Sequence, residues 1–157
     1  MAGCLLVIDM QEEYVGEGGN MRSHPYDAPA LIAAINGRIA EYRSEHVFYV
    51  LNRFFYEPRK SPKTLVEGLD RVSGNVFEKR RGNAFTNPEL AQRLRAMNAG
   101  SLEFVGVDGN HCVAHSALGG VREGFHVTCN EKCIGTADKH KYERTRRKLA
   151  EHSVIFI

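Results

Sequence analysis

Residues 102–117 read LEFVGVDGNHCVAHSA, an apolar run that reaches a turn with glycines and continues with small and apolar residues at helical spacing. The apolar run predicts a buried strand over 102–107, and the segment 111–121 predicts a helix directly after it. A strand, a tight turn and a helix in this order form the repeating unit of a parallel sheet covered by helices. Cys112 would then lie in the first turn of the helix, just past the end of the strand.

The same alternation continues toward both ends of the chain. Asp27 is placed to cap one helix, and Asn87, with Pro88 in the first turn, opens another. These patterns predict an α/β fold with an open, mostly parallel six-stranded sheet and helices on both faces. The first, fourth and last strands are predicted to be central, because they are the least polar. The predicted strands cover residues 4–9, 47–53, 75–79, 102–107, 125–128 and 154–157, and the predicted helices cover 29–40, 111–121, 138–152 and the segment that Asn87 opens.

The composition is that of one globular domain. The chain has 157 residues, of which 43% are hydrophobic and 25% charged, so we predict a single domain over residues 1–157 with a continuous core. The net charge of +2 gives no general affinity for nucleic acid. The basic segment 139–148 also contains Glu143, and we interpret it as a solvated helix face.

The sequence carries no signal for export or membrane insertion. The apolar N-terminal run reaches Asp9 within a few residues and has no basic segment before it, which predicts a strand rather than a signal peptide. No apolar run approaches the roughly 20 residues that span a bilayer. The four cysteines are therefore expected to be free thiols in a reducing compartment, and we predict a cytoplasmic protein without a membrane partner.

Three chemically different side chains are predicted to meet at one edge of the sheet. Asp9 ends the first strand, Lys79 ends the third, and Cys112 opens the helix after the fourth. In open parallel sheets the ligand lies beyond the carboxyl ends of the strands. A helix N-terminus and an ammonium group favour a thiolate, a carboxylate serves as general acid and base, and free amides at the Gly109 turn would face an oxyanion. This combination suits acyl transfer.

Each of these residues also has a structural interpretation that the sequence leaves open. Asp9 can cap a turn, Lys79 can belong to a solvated basic cluster, and Cys112 can be a small core residue. Cys129 and Cys133 have the spacing of a ligand pair, but no second pair or histidine cluster completes a zinc site.

Three blocks of sequence carry a family resemblance. LLVIDMQEEYV begins at Leu5, EKRRGNAFTNPEL at Glu78 and VGVDGNHCVAHSALGGVREGFHV at Val105. Together and in this order they resemble the motifs of the isochorismatase-like cysteine hydrolases, a superfamily that includes nicotinamidases, N-carbamoylsarcosine amidases and ureido-acid hydrolases. The match runs from about Leu5 to Val127.

The resemblance implies a three-layer α/β/α, Rossmann-like fold with Asp9, Lys79 and Cys112 as a catalytic triad. Cys112 would attack a carbonyl carbon, Asp9 would carry the proton, and Lys79 would support the charge. The resemblance also implies a cis peptide bond between Val107 and Asp108. The backbone amides of Asp108 and Cys112 would form the oxyanion hole.

Further expectations concern the surroundings of the triad. By motif position, Tyr14 and Phe85 would line the substrate pocket. Arg53 and Arg80 are candidates for binding a substrate carboxylate, because guanidinium pairs well with it. The segment 54–74, rich in Pro, Lys and Ser, is a candidate for a mobile covering element. The family's usual assembly implies a homo-oligomer, either a dimer or a tetramer.

Departures from the family pattern narrow the expected activity. The presence of Cys112 favours the amidase-like branch over isochorismate hydrolysis, which does not need the thiol. Residues 52–57, NRFFYE, lack the histidines that bind metal in nicotinamidases, so we expect neither a metal nor another cofactor. Asp108 stands where a small residue or threonine is usual, and Gly82-Asn83 replaces a common Tyr-Ser.

These observations predict a hydrolase that cleaves a non-peptide carbon–nitrogen bond in a small amide, ureido or carbamoyl compound through a thioester on Cys112. Two alternatives belong to other classes. A non-catalytic binding protein of the same fold would have a thiol of ordinary reactivity. A redox protein would form a stable sulfenic acid on Cys112 and would need a resolving cysteine, for which Cys129 is the nearest in sequence.

Overall fold

A computed structural model describes residues 2–17 and 26–157 of the chain, and these form an α/β fold. The strands are β1 Ala2–Ile8, β2 Val47–Asn52, β3 Val76–Lys79, β4 Ala99–Val107, β5 His126–Gly135 and β6 Ile155–Phe156. The helices are α1 Glu12–Val15, α2 Ala28–Ile39, α3 Pro88–Ala96, α4 Cys112–Arg122 and α5 Lys139–Glu151, and short 3-10 turns occupy Ser44–His46 and Ala84–Thr86.

All neighbouring strands are parallel, and their order in the sheet is β3-β2-β1-β4-β5-β6. The chain therefore builds one half of the sheet outward from β1 and the other half outward from β4. The direction of winding reverses between these two central strands, which is where open parallel sheets bind ligands. The predicted fold class is confirmed.

Two apolar layers cover the two faces of the sheet, as the alternation of side chains along a strand requires. Cys4, Leu6 and Ile8 of β1 face the cluster that contains buried residues of α3, α4 and α5. Leu5 and Val7 face the opposite cluster, which contains the buried face of α2. Every one of these five side chains is completely buried, so β1 is covered on both faces.

Glycine is required at one position where the two central strands meet. Gly106 near the end of β4 has a φ of +114°, and a Cβ built there would lie 2.1 Å from the carbonyl oxygen of Ile8. Any side chain would push the ends of β1 and β4 apart. The close approach brings together the two strand ends that lead into the site.

The predicted helix starts are confirmed by their capping bonds. The Asp27 side chain accepts a hydrogen bond from the amide of Ala30, and the Asn87 side chain accepts one from the amide of Glu89. Both satisfy amides that have no partner within the helix. No helix among the described residues is both long and apolar enough to cross a membrane.

The structure corrects two expectations about the last strands. The apolar segment 154–157 was expected to be central, but β6 pairs only with β5 and forms the edge of the sheet, with Ile155 59% exposed. The apolar residues of segment 154–157 correctly indicate a strand, but they do not determine whether that strand pairs on one side or on both. β5 also runs past the predicted end at Thr128, because its polar residues Asn130 and Glu131 continue the strand.

Candidate active site

The site lies at the carboxyl ends of four adjacent strands. Asp9 directly follows β1, Asn52 ends β2, Lys79 ends β3, and Cys112 begins α4 after β4. Asn52 and Lys79 are partners in the register of β2 and β3, which places their side chains at the same level of the sheet. Residues far apart in sequence thus meet because their strands end together.

Lys79 joins the predicted triad by direct contacts. Its Nζ donates to Asp9 Oδ2 at 3.2 Å, to Cys112 Sγ at 3.2 Å and to Asn52 Oδ1 at 3.0 Å. Lys79 is only 1% exposed and Asp9 3%, so the ion pair is removed from water. The structure brings together the three residues that sequence reasoning selected.

Asn52 is a site residue that the sequence analysis does not select, as is Tyr26 in the cavity wall. Besides accepting from Lys79, its side-chain amide donates to the Tyr14 hydroxyl at 2.9 Å. Its backbone amide and carbonyl are both hydrogen-bonded to the Gln11 side chain. The strand predicted over 47–53 ends one residue later than β2 does, so the strand-end signal falls on Arg53 and misses Asn52.

The carboxylate of Asp9 has an unusual environment. Burial raises its pKa, and the opposing effects of the Lys79 ammonium and of hydrogen bonding do not fully offset this. Among the described residues, no hydrogen-bond partner reaches Asp9 Oδ1 although this atom is buried. The backbone of Asp9 has a φ of +52°, which is uncommon for a residue with a side chain and costs strain. An under-solvated carboxylate with a raised pKa is a stronger base than an exposed one.

The thiol of Cys112 corrects the expectation of a resting thiolate. Burial, followed by the negative charge of Asp9, raises its pKa to about 12, and the Lys79 ammonium only partly opposes this. The first turn of α4 therefore carries a protonated thiol at neutral pH. Such a thiol becomes nucleophilic when a neighbouring base takes its proton, and Asp9 is that neighbour.

The turn between β4 and α4 has a defined shape. The peptide bond between Val107 and Asp108 is cis, as the resemblance implies. The carbonyl of Asp108 accepts from the amides of His111 and Val113, which folds the turn around this residue. Within residues 2–17 and 26–157, the amides of Asp108 and Cys112 have no hydrogen-bond partner. Both amides are thus available as donors beside the thiol.

A cavity of about 250 Å³ opens above the triad. Three aromatic side chains, Tyr14, Tyr26 and Phe54, contribute to its wall. The cavity therefore combines an apolar wall with a polar base, a usual composition for small-molecule sites. Its other lining residues are Asp9, Asn52, Val107, Asp108, His111, Cys112 and Ala137.

Tyr14 lines this cavity as expected, whereas Phe85 does not. Phe85 is 8% exposed and its ring stacks on Phe125, with centroids 6.1 Å apart, in the core cluster under α3 and α4. The Asn83 side chain caps the short 3-10 turn by accepting from the Phe85 amide. This cap directs the ring into the core.

Both candidate arginines are held away from the cavity. Arg53 is 5% exposed, and its guanidinium forms a bidentate pair with Glu78 and donates to the carbonyls of Pro58 and Ser61. Successive residues of an extended chain point to opposite sides, so Arg53 points away from the site that Asn52 faces.

Arg80 donates to the carbonyl oxygens of Phe54 and Phe55. Neither arginine lines the cavity, and together they fasten the segment that carries Phe54 at its rim. Segment 54–74 contains no helix or strand beyond an isolated bridge between Gln11 and Leu65. Its loop character is confirmed, and its mobility stays a prediction.

Metal ligands were not expected from the sequence. Across the described part of the chain, no group of three or more His, Cys, Asp and Glu side chains could hold a metal ion. Cys129 packs in the cluster beneath α4, whereas Cys133 packs in the cluster beneath α2. The two cysteines thus serve opposite faces of the sheet and do not form a ligand pair.

An open parallel sheet with a buried carboxylate, ammonium and thiol at its carboxyl edge defines a class of Rossmann-like proteins equipped for nucleophilic chemistry. Within that class, the isochorismatase domain model matches residues 3–155, and the chain belongs to the isochorismatase family. No curated protein matches the sequence significantly.

Solved structures of the same fold include several amidases. An isochorismatase-like hydrolase from Alkaliphilus metalliredigens has a TM-score of 0.81 and 17% identity, with 100% of this chain and 94% of that chain covered. N-carbamoylsarcosine amidase from Thermoplasma acidophilum has a TM-score of 0.79 and 18% identity, covering 99% and 95%. A nicotinamidase from Staphylococcus aureus has a TM-score of 0.75 and 19% identity, covering 99% and 98%. At these identities the similarity establishes the fold.

Proposed function

We propose that the protein is a cysteine amidohydrolase that cleaves a non-peptide carbon–nitrogen bond of a small amide, ureido or carbamoyl compound. The observation that carries this proposal is the contact of Lys79 Nζ with both Asp9 and Cys112 at the base of a small cavity. The amides of Asp108 and Cys112 next to the thiol add donors for an oxyanion.

Acylation would begin with transfer of the Cys112 proton to Asp9. The sulfur then forms a bond to the carbonyl carbon, and the negative charge on the carbonyl oxygen is stabilised by the two free amides. Asp9 returns its proton to the substrate nitrogen, the carbon–nitrogen bond breaks, and ammonia or an amine leaves. The raised pKa of Asp9 supports this role, because it makes the carboxylate a better proton acceptor than an exposed carboxylate.

Deacylation would repeat the same proton transfers with water as the nucleophile. Asp9 takes a proton from water, the oxygen attacks the thioester carbon, and the carbon–sulfur bond breaks. The proton on Asp9 then returns to Cys112, which restores the resting thiol. Lys79 would keep its charge throughout and would stabilise whichever of Asp9 and Cys112 is anionic.

The raised pKa of Cys112 argues against the redox alternative. Oxidation to a sulfenic acid proceeds through the thiolate, and a thiol with a pKa of about 12 is protonated at neutral pH. All four cysteines are free thiols, which suits a cytoplasmic location for the proposed enzyme. The homo-oligomer, a dimer or tetramer, stays a prediction.

The test is ammonia release from a panel of small amides and carbamoyl compounds, combined with mass spectrometry of the intact protein. The wild type should release ammonia, and acid quenching during turnover should trap an adduct with the mass of the acyl group on Cys112. Cys112→Ser should lose both signals, whereas Cys129→Ser, which removes a buried thiol outside the cavity, should retain them. Equal ammonia release by wild type and Cys112→Ser would refute the proposal.

A further inference from the structure

We infer that the cavity selects an amide carrying a positive charge, such as a quaternary ammonium, amidinium or guanidinium group, and that Asp108 determines this specificity. The inference rests on the proposed function for the chemical step and concerns which substrate the site accepts. It excludes the ureido acids and other amides that carry a carboxylate.

The charged side chains that line the cavity or lie at its base do not balance one another. The charges of Asp9 and Lys79 offset each other in a buried ion pair. Asp108 also lines the cavity, and within the described residues it has no cationic partner. The two arginines that could have compensated it, Arg53 and Arg80, are bound to other groups. His111 also lines the cavity. With the ion pair balanced, the thiol protonated and His111 neutral, Asp108 gives the cavity a net negative charge.

The carboxylate of Asp108 is fixed by hydrogen bonds to both of its oxygen atoms. Its Oδ1 accepts from the amide of Asn110 at 2.7 Å, and its Oδ2 accepts from the amide of Ala137 at 2.8 Å and from the Tyr26 hydroxyl at 2.9 Å. All three donors are neutral, so they fix the position of the carboxylate without placing a positive charge beside it. A fixed, uncompensated charge attracts a cation at no cost of reorganisation.

Part of the cavity wall is aromatic. Tyr14, Tyr26 and Phe54 line the same cavity as Asp108. Rings that surround a cavity with a carboxylate are the usual means of recognising ammonium groups, because the negative face of each ring attracts the cation. An anionic substrate would meet the ring faces and Asp108 with the wrong sign of charge. The chemistry of the wall and the charge of Asp108 point to the same class of substrate.

The test uses three amides of similar size and different charge, with the Cys112→Ser variant as the binding partner so that no turnover occurs. They are trimethylammonioacetamide, a cation, its neutral isostere 3,3-dimethylbutanamide, and the anion succinamate. At pH 8, where histidines are neutral, calorimetry should find the cation bound about tenfold more tightly than the neutral isostere. Succinamate should bind more weakly than either.

A second substitution removes the charge of Asp108 and keeps its shape. In Cys112→Ser with Asp108→Asn, the preference for the cation over its isostere should fall to about twofold or less. The matched control is Asp138→Asn, which removes a carboxylate outside the cavity and keeps a helix-capping side chain, and it should leave the preference unchanged. If Asp108→Asn does not fold, Phe54→Leu tests the aromatic wall and should reduce the preference about threefold.

Equal binding of the cation and its isostere to Cys112→Ser would overturn the inference, as would tighter binding of succinamate. Hydrolysis of the three amides by the wild type is measured separately. A cation preference in binding without any ammonia release would contradict the proposed hydrolase and support the selectivity of the cavity. Ammonia release without a charge preference would support the proposed hydrolase and contradict the selectivity of the cavity.

Discussion

Two buried carboxylates on neighbouring central strands have opposite environments. Glu103, in the middle of β4, accepts four hydrogen bonds: two from Arg38 at 2.7 and 2.6 Å, one from Tyr42 at 2.7 Å and one from Asn130 at 2.9 Å. Asp9, at the end of β1, accepts one from Lys79 at 3.2 Å, and within the described chain its Oδ1 has no partner.

The difference appears directly in the two pKa values. Burial acts to raise the pKa of Glu103, but the hydrogen bonds from Arg38, Tyr42 and Asn130 outweigh it and lower the pKa. For Asp9, burial outweighs the charge of Lys79 and the hydrogen bonding from Cys112 and Lys79, and it raises the pKa. The environment of Glu103 thus favours the charged form of its carboxyl group, whereas the environment of Asp9 favours uptake of a proton. The burial of a carboxylate therefore does not by itself show whether it stabilises the fold or takes part in catalysis. The hydrogen-bond donors around it determine whether its pKa is raised or lowered.

The largest expected effect is on hydrolysis. Asp9→Asn removes the proposed base, and ammonia release should fall about 1000-fold. Glu103→Gln, which changes the other carboxylate in the same way, should keep the rate within about twofold, since Glu103 does not line the cavity. Steady-state rates on one substrate provide the comparison. Similar losses in both variants would show that the two carboxylates do not have separate roles.

The second prediction concerns the free energy of unfolding, for which Glu103 should matter. Glu103→Gln leaves Arg38 with a weaker partner, and urea unfolding at pH 7 should give a loss of about 2 kcal/mol. Glu131 pairs with Arg146 at the surface, so Glu131→Gln should cost less than about 0.5 kcal/mol. Equal losses in the two variants would contradict the structural importance of the Glu103 cluster.

The third prediction concerns the reactivity of the Cys112 thiol. Because the charge of Asp9 raises the pKa of Cys112, Asp9→Asn should increase its alkylation by iodoacetamide at pH 8 about tenfold, although hydrolysis is lost. Lys79→Met should slow alkylation, since the ammonium acts in the opposite direction. Peptide mass spectrometry measures the modification of Cys112, and Glu103→Gln is the control that should leave it unchanged. Slower alkylation of Asp9→Asn would contradict the assigned electrostatics.

The smallest expected effect is a change of stability with pH. The pKa of Glu103 is lowered in the folded state, so its stabilisation is fully present above the unfolded-state value of about 4.3 and is lost as the pH falls through the folded-state value. The stability difference between wild type and Glu103→Gln should therefore be the same at pH 7 and pH 5 and smaller at pH 3. A difference that does not shrink at pH 3 would show that Glu103 does not titrate as described.

The convergence of Asp9, Lys79 and Cys112 could be predicted because each follows an apolar run that reads as a strand, and parallel strands end at a common edge. The same rule misses Asn52, because the strand predicted over 47–53 ends one residue beyond the end of β2. Arg53, one position further along the chain, pairs with Glu78 and does not line the cavity, and its contact with a substrate stays a prediction. A shift of one residue along an extended chain reverses the direction of the side chain.

The protonation state of Cys112 could not be predicted from its neighbours in sequence. A helix N-terminus and a nearby ammonium suggested a thiolate, but burial and the Asp9 carboxylate outweigh them in the folded chain. Desolvation depends on how completely segments distant in sequence cover a group. Phe85 lies outside the cavity for a related reason, since its ring is placed by packing against Phe125 rather than by its motif position.

The sequence by itself determined the alternation of strands and helices, the capped helix starts at Asp27 and Asn87, and the presence of an acid, an amine and a thiol at strand ends. These are local properties of apolar periodicity and capping chemistry. The low polarity of the first and fourth strands also predicted their central places, whereas only the tertiary structure decided that β6 is an edge strand. The tertiary structure also decided that, within the described residues, Glu103 is surrounded by donors while Asp9 Oδ1 has none, because hydrogen-bond partners and burial are supplied by contacts between residues far apart in the chain.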